Sequence, residues 1–221
     1  TVCLNEIFRQ AARSLIVENA HHIISSEPLQ KGGRTDDFFF LESDGDAARK
    51  LVCDLVTTRL PRSYGFDPIR DIQVLCPTKL GPTGTQALNV ELQNLLNPEQ
   101  KGKPQLQSAS RVFRVGDKVM QVRNNYEIVW NRIGGEQGVG AYNGDIGIVE
   151  SINPRDRSMV VRMDDRRLIY PAENLGELEI AYAITVHKSQ GSEFPAVILR
   201  YSGLCYLLQA ELPPEQIKTE E

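Results

Sequence analysis

Apolar and polar positions alternate with two different rhythms along this chain. Between residues 11 and 24, Ala12, Leu15, Ile16 and Ala20 recur at the i, i+3, i+4, i+8 spacing of one helical face. A stretch of Ser, Gly and Asp residues over 25–37 breaks that rhythm. Phe38-Phe39-Phe40-Leu41, bounded by polar turn residues, then predicts a strand. Asp44 or Asp46 can cap the next helix, in which Ala48, Leu51, Val52, Leu55 and Val56 share a face. Ile72-Gln73-Val74-Leu75-Cys76 predicts a second strand, stopped by Pro77. The loop 78–85 leads into a helix with Leu88, Leu92, Leu95 and Leu96 facing inward, ended by Asn97-Pro98. Strand, helix, strand, helix in this order predicts an α/β layered domain with a mainly parallel sheet.

The rhythm changes after about Ser108. From Val115 to Pro171 no helical period survives, and short β-prone runs alternate with turns. Residues 119–122, 146–152, 159–163 and 168–170 are the candidate strands, with Asn143-Gly144, Asn153-Pro154 and Asp164-Asp165 between them. Such short, closely spaced strands predict a small barrel. Residues 127–140, with Trp130, Arg132 and several glycines, read as a flexible protrusion in which Trp130 either stacks on a base or anchors the loop. Ala181-Tyr182-Ala183-Ile184-Thr185 and Ala196-Val197-Ile198-Leu199 return to the buried-strand pattern, so the barrel is expected to interrupt an α/β domain that resumes after it. Residues 204–212 are expected to form a short helix, and the Pro/Glu-rich tail after it to be disordered.

Composition narrows the classes. The hydrophobic fraction of 41% and charged fraction of 24% are those of an ordinary globular protein, and no apolar run reaches the length of a bilayer span. Cys3, Cys53, Cys76 and Cys205 stand apart with no CxxC pair. His21-His22 and His187 have no cysteine at zinc-ligand spacing, so reduced core thiols in a cytoplasmic protein are expected and a metal site is not. A net charge of −4 with no basic stripe excludes binding to nucleic acid through bulk electrostatics; any such binding must use a few placed donors. The N-terminus shows no signal-peptide pattern and no initiator Met, which leads us to expect a longer parent protein.

The placed donors are concentrated in Thr185-Val186-His187-Lys188-Ser189-Gln190-Gly191-Ser192-Glu193-Phe194, directly after a buried strand. Hydroxyls, an amide, an ammonium and backbone N–H groups near a glycine are the groups that hold phosphate oxygens. On chemistry alone, phosphate binding and an ordinary polar loop remain equally open. Residues 183–194, however, resemble motif V of the RecD-like superfamily 1 DNA helicases (exodeoxyribonuclease V alpha-chain-like), a pattern close to A-x-T-V-H-K-S-Q-G-S-E-F. Three further segments agree in order. Phe8-Arg9-Gln10 resembles motif IV. Val74-Leu75-Cys76-Pro77-Thr78 with Gly81-Pro82-Thr83-Gly84 and Leu88-Asn89 resembles the segment after it. Val115-Gly116-Asp117-Lys118-Val119-Met120, Asn124-Asn125-Tyr126 and Asn143-Gly144-Asp145-Ile146-Gly147 resemble the family's inserted SH3-like barrel.

That resemblance implies an α/β fold: a RecA-like parallel-sheet domain (2A) over 1–107 and 179–210, an inserted SH3-like barrel (2B) over 108–178, and a tail from 211. It implies that Arg9 acts on the γ-phosphate of ATP as an arginine finger, with Gln10, Gly191 and Glu193 on the nucleotide side. Thr78, Thr185, His187, Lys188, Ser189 and Gln190 would contact single-stranded DNA of any sequence, with travel 5′ to 3′. ATP and Mg²⁺ are the implied cofactors of the whole protein. The implied partners are an N-terminal RecA-like domain and possible further subunits of a recombination nuclease. Without the other motifs, Arg9 reads instead as a helix-start residue paired with Glu6. The turn residues of the barrel read as structural, with Asn124-Asn125-Tyr126 the more suggestive group.

Two departures bound the resemblance. No G-x-x-x-x-G-K-[ST] and no Walker B acidic pair occurs, so these residues alone are expected to be unable to hydrolyse ATP. The threonine-arginine pair of motif VI is also missing after Leu199. Two other readings stay open: the helicase half of a conjugative relaxase, and a non-catalytic SH3-like module that recruits a protein on an α/β scaffold.

Overall fold

The computed structural model describes residues 14–33, 36–132, 134–201 and 204–209. They fall into two compact units, one drawn from 1–77 with 192–221 and the other comprising 78–191.

In the first unit, helix α1 (Leu15–Ser25) starts at Ser14, whose hydroxyl accepts from Val17 N–H and donates to Asp37 at 2.5 Å. Ser26, in the left-handed region at φ 59°, ends it. Its inner face is not the one the apolar spacing predicts. Ala12 lies outside the described residues, Leu15 and Ile16 are half-buried, and Ala20 is exposed, whereas Asn19 is buried. The reason is a hydrogen-bond demand: Asn19 donates to Gln30 C=O at 3.1 Å and accepts Gln30 N–H at 2.8 Å, closing the loop that follows.

Strand β1 (Phe38–Glu42) leads to α2 (Gly45–Asp54), which begins after Asp44 without a capping bond from its side chain. The helix widens into a π turn (Leu55–Arg59) before α3 (Leu60–Tyr64). Pro61 accounts for this: it has no N–H to give to the preceding turn, and Leu60 N–H reaches back to Leu55 C=O instead. Every residue of β2 (Ile72–Cys76) is buried. The last two strands in chain order, β13 (Ala196–Tyr201) and β14 (Leu204–Gln209), complete a run β1-β14-β13-β2. β13 lies parallel to β2, with Ala196 opposite Ile72, while β14 is antiparallel to both β13 and β1. The helix expected over 204–212 is therefore a strand over its described part. Lying between two strands, it has its backbone groups satisfied on both edges, and that ladder overrides local helical preference.

The second unit opens with α4 (Thr85–Leu96), then a two-stranded ribbon of β3 (Gln105–Ser108) and β4 (Arg111–Arg114). Seven strands follow: β5 (Lys118–Gln121), β6 (Asn125–Arg132), β7 (Gln137–Ala141), β8 (Ile146–Asn153), β9 (Ser158–Met163), β10 (Arg166–Tyr170) and β11 (Leu178–Ile180). They form one antiparallel sheet in the order β11-β5-β8-β9-β10-β6-β7. Alternation along β9 sends Met159, Val161 and Met163 into a core shared with Phe113, Val119, Leu168 and Tyr170. The predicted strand centres and turns of this region are all present; Asp164 sits at φ 53° in the β9–β10 turn.

The described residues of 127–140 belong to two paired strands, β6 and β7, rather than to a loose protrusion, with Val129 opposite Val139 and Trp130 opposite Gly138. A Cβ on Gly138 would lie 2.3 Å from the Trp130 ring, so this glycine makes room for the indole, which packs half-buried against the core. Trp130 anchors the strand pair. Arg132 stands over its ring at 5.4 Å.

The inner face of α4 also differs from expectation. Leu88 and Leu92 are buried, Leu96 is half-buried, and Leu95 is 53% exposed. What turns the helix is a polar row one position round, Asn89 and Gln93 at i, i+4, continued by its cap Asn97. Asn89 binds both peptide groups of Ala183, with N–H to Oδ1 at 2.7 Å and Nδ2 to C=O at 2.8 Å. Gln93 and Asn97 each donate to Asp117 at 2.6 Å. Three amides thus fasten the helix to the barrel side.

Candidate nucleic-acid interface

Two loops of the 78–191 unit converge on one small cleft, lined by Lys79, Thr85, Asn89, Thr185 and Lys188 among others. The first loop, 78–84, folds back on α4: Thr78 and Lys79 carbonyls accept the N–H groups of Thr85 and Gln86, satisfying two donors of the helix start. The close turn demands glycine at 84, where a Cβ would come within 2.5 Å of the Leu80 carbonyl. The second loop leaves strand β12 (Ala183–Thr185), held against α4 by Asn89, and passes through a single 3₁₀ turn (Val186–Ser189) to Gly191 at φ 83°.

Each residue singled out by sequence has its own placement. Thr185 is half-buried in the cleft wall. His187 and Gln190 are exposed, their side chains directed to solvent at the loop tip, and Gly191 is exposed beside them. Two hydroxyls are spent inward: Thr78 donates to Leu80 C=O at 3.0 Å and Ser189 to Val186 C=O at 2.8 Å. Either must rotate to donate to a ligand, although its oxygen can still accept. Lys188 points toward the barrel, donating to Asn143 Oδ1 at 2.5 Å and Val122 C=O at 3.4 Å. Glu193 is exposed and belongs to the other compact unit. Arg9 and Gln10 lie outside the described residues.

The three residues Asn124-Asn125-Tyr126 serve different ends. Asn125 donates to both oxygens of the Glu177 carboxylate at 2.9 and 3.0 Å, a structural use. Asn124 Oδ1 accepts Asn143 N–H at 2.8 Å. Tyr126 is 65% exposed and meets Tyr142 edge-on at 6.2 Å between centroids.

Beside the cleft runs a groove of about 340 Å³ along α4, with Lys79, Asn89, Gln93, Arg111 and Glu179 in its lining. Glu179 is shared between Lys79 at 3.5 Å and Arg111 at 3.3 Å. Lys79 and Thr85, Arg111, and Glu179 escape sequence reading because they come from three segments far apart in the chain. Lys79 alone had a signal, its position next to Thr78.

Two buried carboxylates set the electrostatics behind these loops. Asp117, fully buried, accepts from Gln93, Asn97, Arg114 N–H and Tyr182 OH. Burial pushes its pKa above the ordinary aspartate value despite those four donors. Glu177, 5% exposed, is also raised by burial. There the opposing donors Asn174, Asn125 and Gln121, with the Arg123 guanidinium, win and hold it below the ordinary glutamate value. Among the described residues no group of three or more His, Cys, Asp or Glu side chains could hold a metal ion, so no step is assigned to a metal on them. Nor, among them, is any helix long and apolar enough to cross a membrane.

Residues 88–163 match the family described as the ATP-dependent RecD-like DNA helicase SH3 domain, and residues 180–209 match the UvrD-like helicase C-terminal domain. The first match begins inside α4, in keeping with the helix and barrel forming one unit. The chain is 31% identical over 198 residues to the ATP-dependent RecD2 DNA helicase of Deinococcus radiodurans, covering 90% of this chain and 24% of that protein. It is 29% identical over 141 residues to the RecBCD enzyme subunit RecD of Mycolicibacterium smegmatis, covering 63% of this chain and 22% of that one. The chain thus spans no more than about a quarter of the length of these curated relatives. A solved structure of Bacteroides Pif1 bound to ssDNA aligns with a TM-score of 0.45 and 18% identity, over 88% of this chain and 44% of that chain.

Proposed function

The chain belongs to the RecD-like superfamily 1 DNA helicases, and from that premise we propose that its 78–85 and 185–191 loops hold the backbone of single-stranded DNA. The observation that carries this reading is the convergence of the two loops on one cleft with Lys79, Thr85, Thr185 and Lys188 in its wall. Hydroxyls and a lysine beside the exposed Gly191 suit phosphate oxygens and read no base, so the substrate is DNA of any sequence. With a net charge of −4 the affinity comes from these placed groups rather than from a general basic surface.

In the wider reading, these residues are the second motor domain of an ATP-dependent 5′–3′ helicase acting in DNA recombination and repair. Arg9 and Gln10 would meet the γ-phosphate, with Gly191 and Glu193 on the nucleotide side. ATP supplies the driving phosphoryl transfer when bound with Mg²⁺; Arg9 offers a permanently charged planar fork to the charge that develops. The relatives named as helicases support that reading, as does the loop sequence Thr185-Val186-His187-Lys188-Ser189-Gln190-Gly191.

Fluorescence anisotropy tests the DNA part. The chain should bind a labelled oligo(dT) and a mixed-sequence oligonucleotide of equal length with affinities within about threefold of each other. Binding should weaken steeply with salt. A strong sequence preference, or no binding at low salt, overturns the proposal. The same preparation, which contains no G-x-x-x-x-G-K-[ST] loop, should show no DNA-stimulated ATP turnover.

A further inference from the structure

Lys188 sits in the middle of the proposed DNA-holding loop, yet its ammonium is engaged away from the loop tip. It donates to Asn143 Oδ1 at 2.5 Å and to Val122 C=O at 3.4 Å, both on the barrel side of the same unit. Neither acceptor is a casual neighbour. Asn143 is fixed on its turn by its own N–H to Asn124 Oδ1 at 2.8 Å, and the next residue, Gly144, donates to Gln121 C=O at 2.9 Å. Val122 is held from its other side, its N–H donating to Glu177 C=O at 2.8 Å. The two oxygens are therefore presented by backbone that the barrel already immobilises. A lysine suits this task because its compact ammonium can turn its three donors toward two acceptors that are not coplanar.

We propose that Lys188 is a positioning residue, a strut that ties the 185–191 loop to the Asn124–Asn143 turn pair and so sets the loop's geometry toward DNA, rather than a phosphate ligand itself. This deepens the DNA-holding reading and rests on it. The contrast with its neighbours carries the assignment. His187 and Gln190 face solvent on either side of it, while Lys188 is half-buried and turned in. One end of the loop is already fixed, since Asn89 pins β12 at Ala183. Lys188 supplies the second fixed point, so Ile184 to His187 is spanned between two anchors. The barrel thereby acts on the loop without touching the DNA at this position.

The experiment uses Lys188→Met, Asn143→Ala and the double variant in the whole 221-residue chain, with labelled oligo(dT) titrated across a salt series. A strut predicts the same direction for both single variants, with Lys188→Met at least as severe because it also gives up the Val122 carbonyl. Each should weaken binding, Lys188→Met roughly three- to tenfold, and the double variant should be no worse than Lys188→Met alone. The slope of log affinity against log salt should stay unchanged. A phosphate-contacting lysine behaves otherwise: Lys188→Met would flatten the slope by about 0.7 while Asn143→Ala left binding intact. That outcome overturns the proposal. Hydrogen exchange of the 185–191 amides provides a reading independent of DNA. Both single variants should speed exchange there, Lys188→Met at least as much as Asn143→Ala and the double variant no more than Lys188→Met, while amides of β8 and β9 keep their protection. If the parent chain fails to bind oligo(dT) but this exchange coupling is present, the DNA reading falls and the strut stands. If Asn143→Ala leaves loop exchange unchanged, the strut falls whatever the DNA result.

Discussion

Asp117 and Glu177 belong to the same unit, and each takes hydrogen bonds from three or more neighbouring side chains or backbone groups, but they lie in different settings. Asp117 sits where α4 meets the barrel and receives only neutral donors: two amides, a backbone N–H and a phenol. Glu177 sits near the rim, where three amides are joined by the Arg123 guanidinium at 3.4 Å. Burial works against the charge at both places. At the junction it prevails, and the pKa of Asp117 rises; at the rim the donors and the cation prevail, and that of Glu177 falls. The difference shows two ways of using a buried carboxylate. One organises a helix–barrel junction with neutral groups and keeps the cost of desolvation. The other offsets that cost with a partner reaching in from solvent.

Removing the junction carboxylate should have the largest effect. Asp117→Ala strands Gln93, Asn97, Arg114 N–H and Tyr182 OH around an apolar methyl, and several buried donors lose their partner at once. We expect a loss of roughly 3 kcal/mol or more. Trp130, the single tryptophan of the chain, packs on the barrel, so its fluorescence follows this unit during urea unfolding. A variant that melts with the parent would mean that the four donors find other partners, and the junction would lose its special standing. Glu177→Gln should cost less, about 1–2 kcal/mol, because one oxygen remains to accept while the new NH₂ faces donors. If that change proved the costlier of the two, depth of burial would not be what separates the sites.

Much of this fold is legible in the order of residues, and the failures share a cause. Four of the seven barrel strands are legible because their pattern is local: Met159, Val161 and Met163 announce one face within a few residues, whereas β6, β7 and β11 carry no such signal. The strand Leu204–Gln209 has one partner next to it in the chain, β13, but its other edge is closed by β1, far away in sequence and invisible to a local reading. The strand pair within 127–140 was misread because its glycines suggested looseness, when Gly138 is small in order to admit Trp130. On α4 the leucines promised an inward face, and the helix instead turned toward Asn89 and Gln93, whose partners cannot be seen in the sequence. The candidate interface divides the same way. Residues Thr185 to Gly191 form one readable string, whereas Lys79, Arg111 and Glu179 meet only through tertiary structure.

The smallest effect gives the sharpest form of the comparison. Arg123→Met removes the one cation from the rim site, leaving Glu177 with neutral donors like those of Asp117. The Arg123 side chain is 63% exposed, so the stability change should be below about 1 kcal/mol and shrink with salt. The titration should move more clearly. In the parent, the folded pKa of Glu177 is depressed, so its contribution to stability is complete above the ordinary glutamate range and fades as pH falls through the folded value. Asp117 has the opposite sign: its raised folded pKa means that the folded chain takes up a proton first, and its contribution fades as pH rises through that window. In Arg123→Met the Glu177 carboxyl, followed by ¹³C chemical shift, should titrate at higher pH than in the parent, and acid loss of Trp130 fluorescence should begin earlier. Should its titration stay where it was, the amides of Asn174, Asn125 and Gln121 alone hold the carboxylate charged. The contrast with Asp117 would then rest on depth within the fold rather than on the cation.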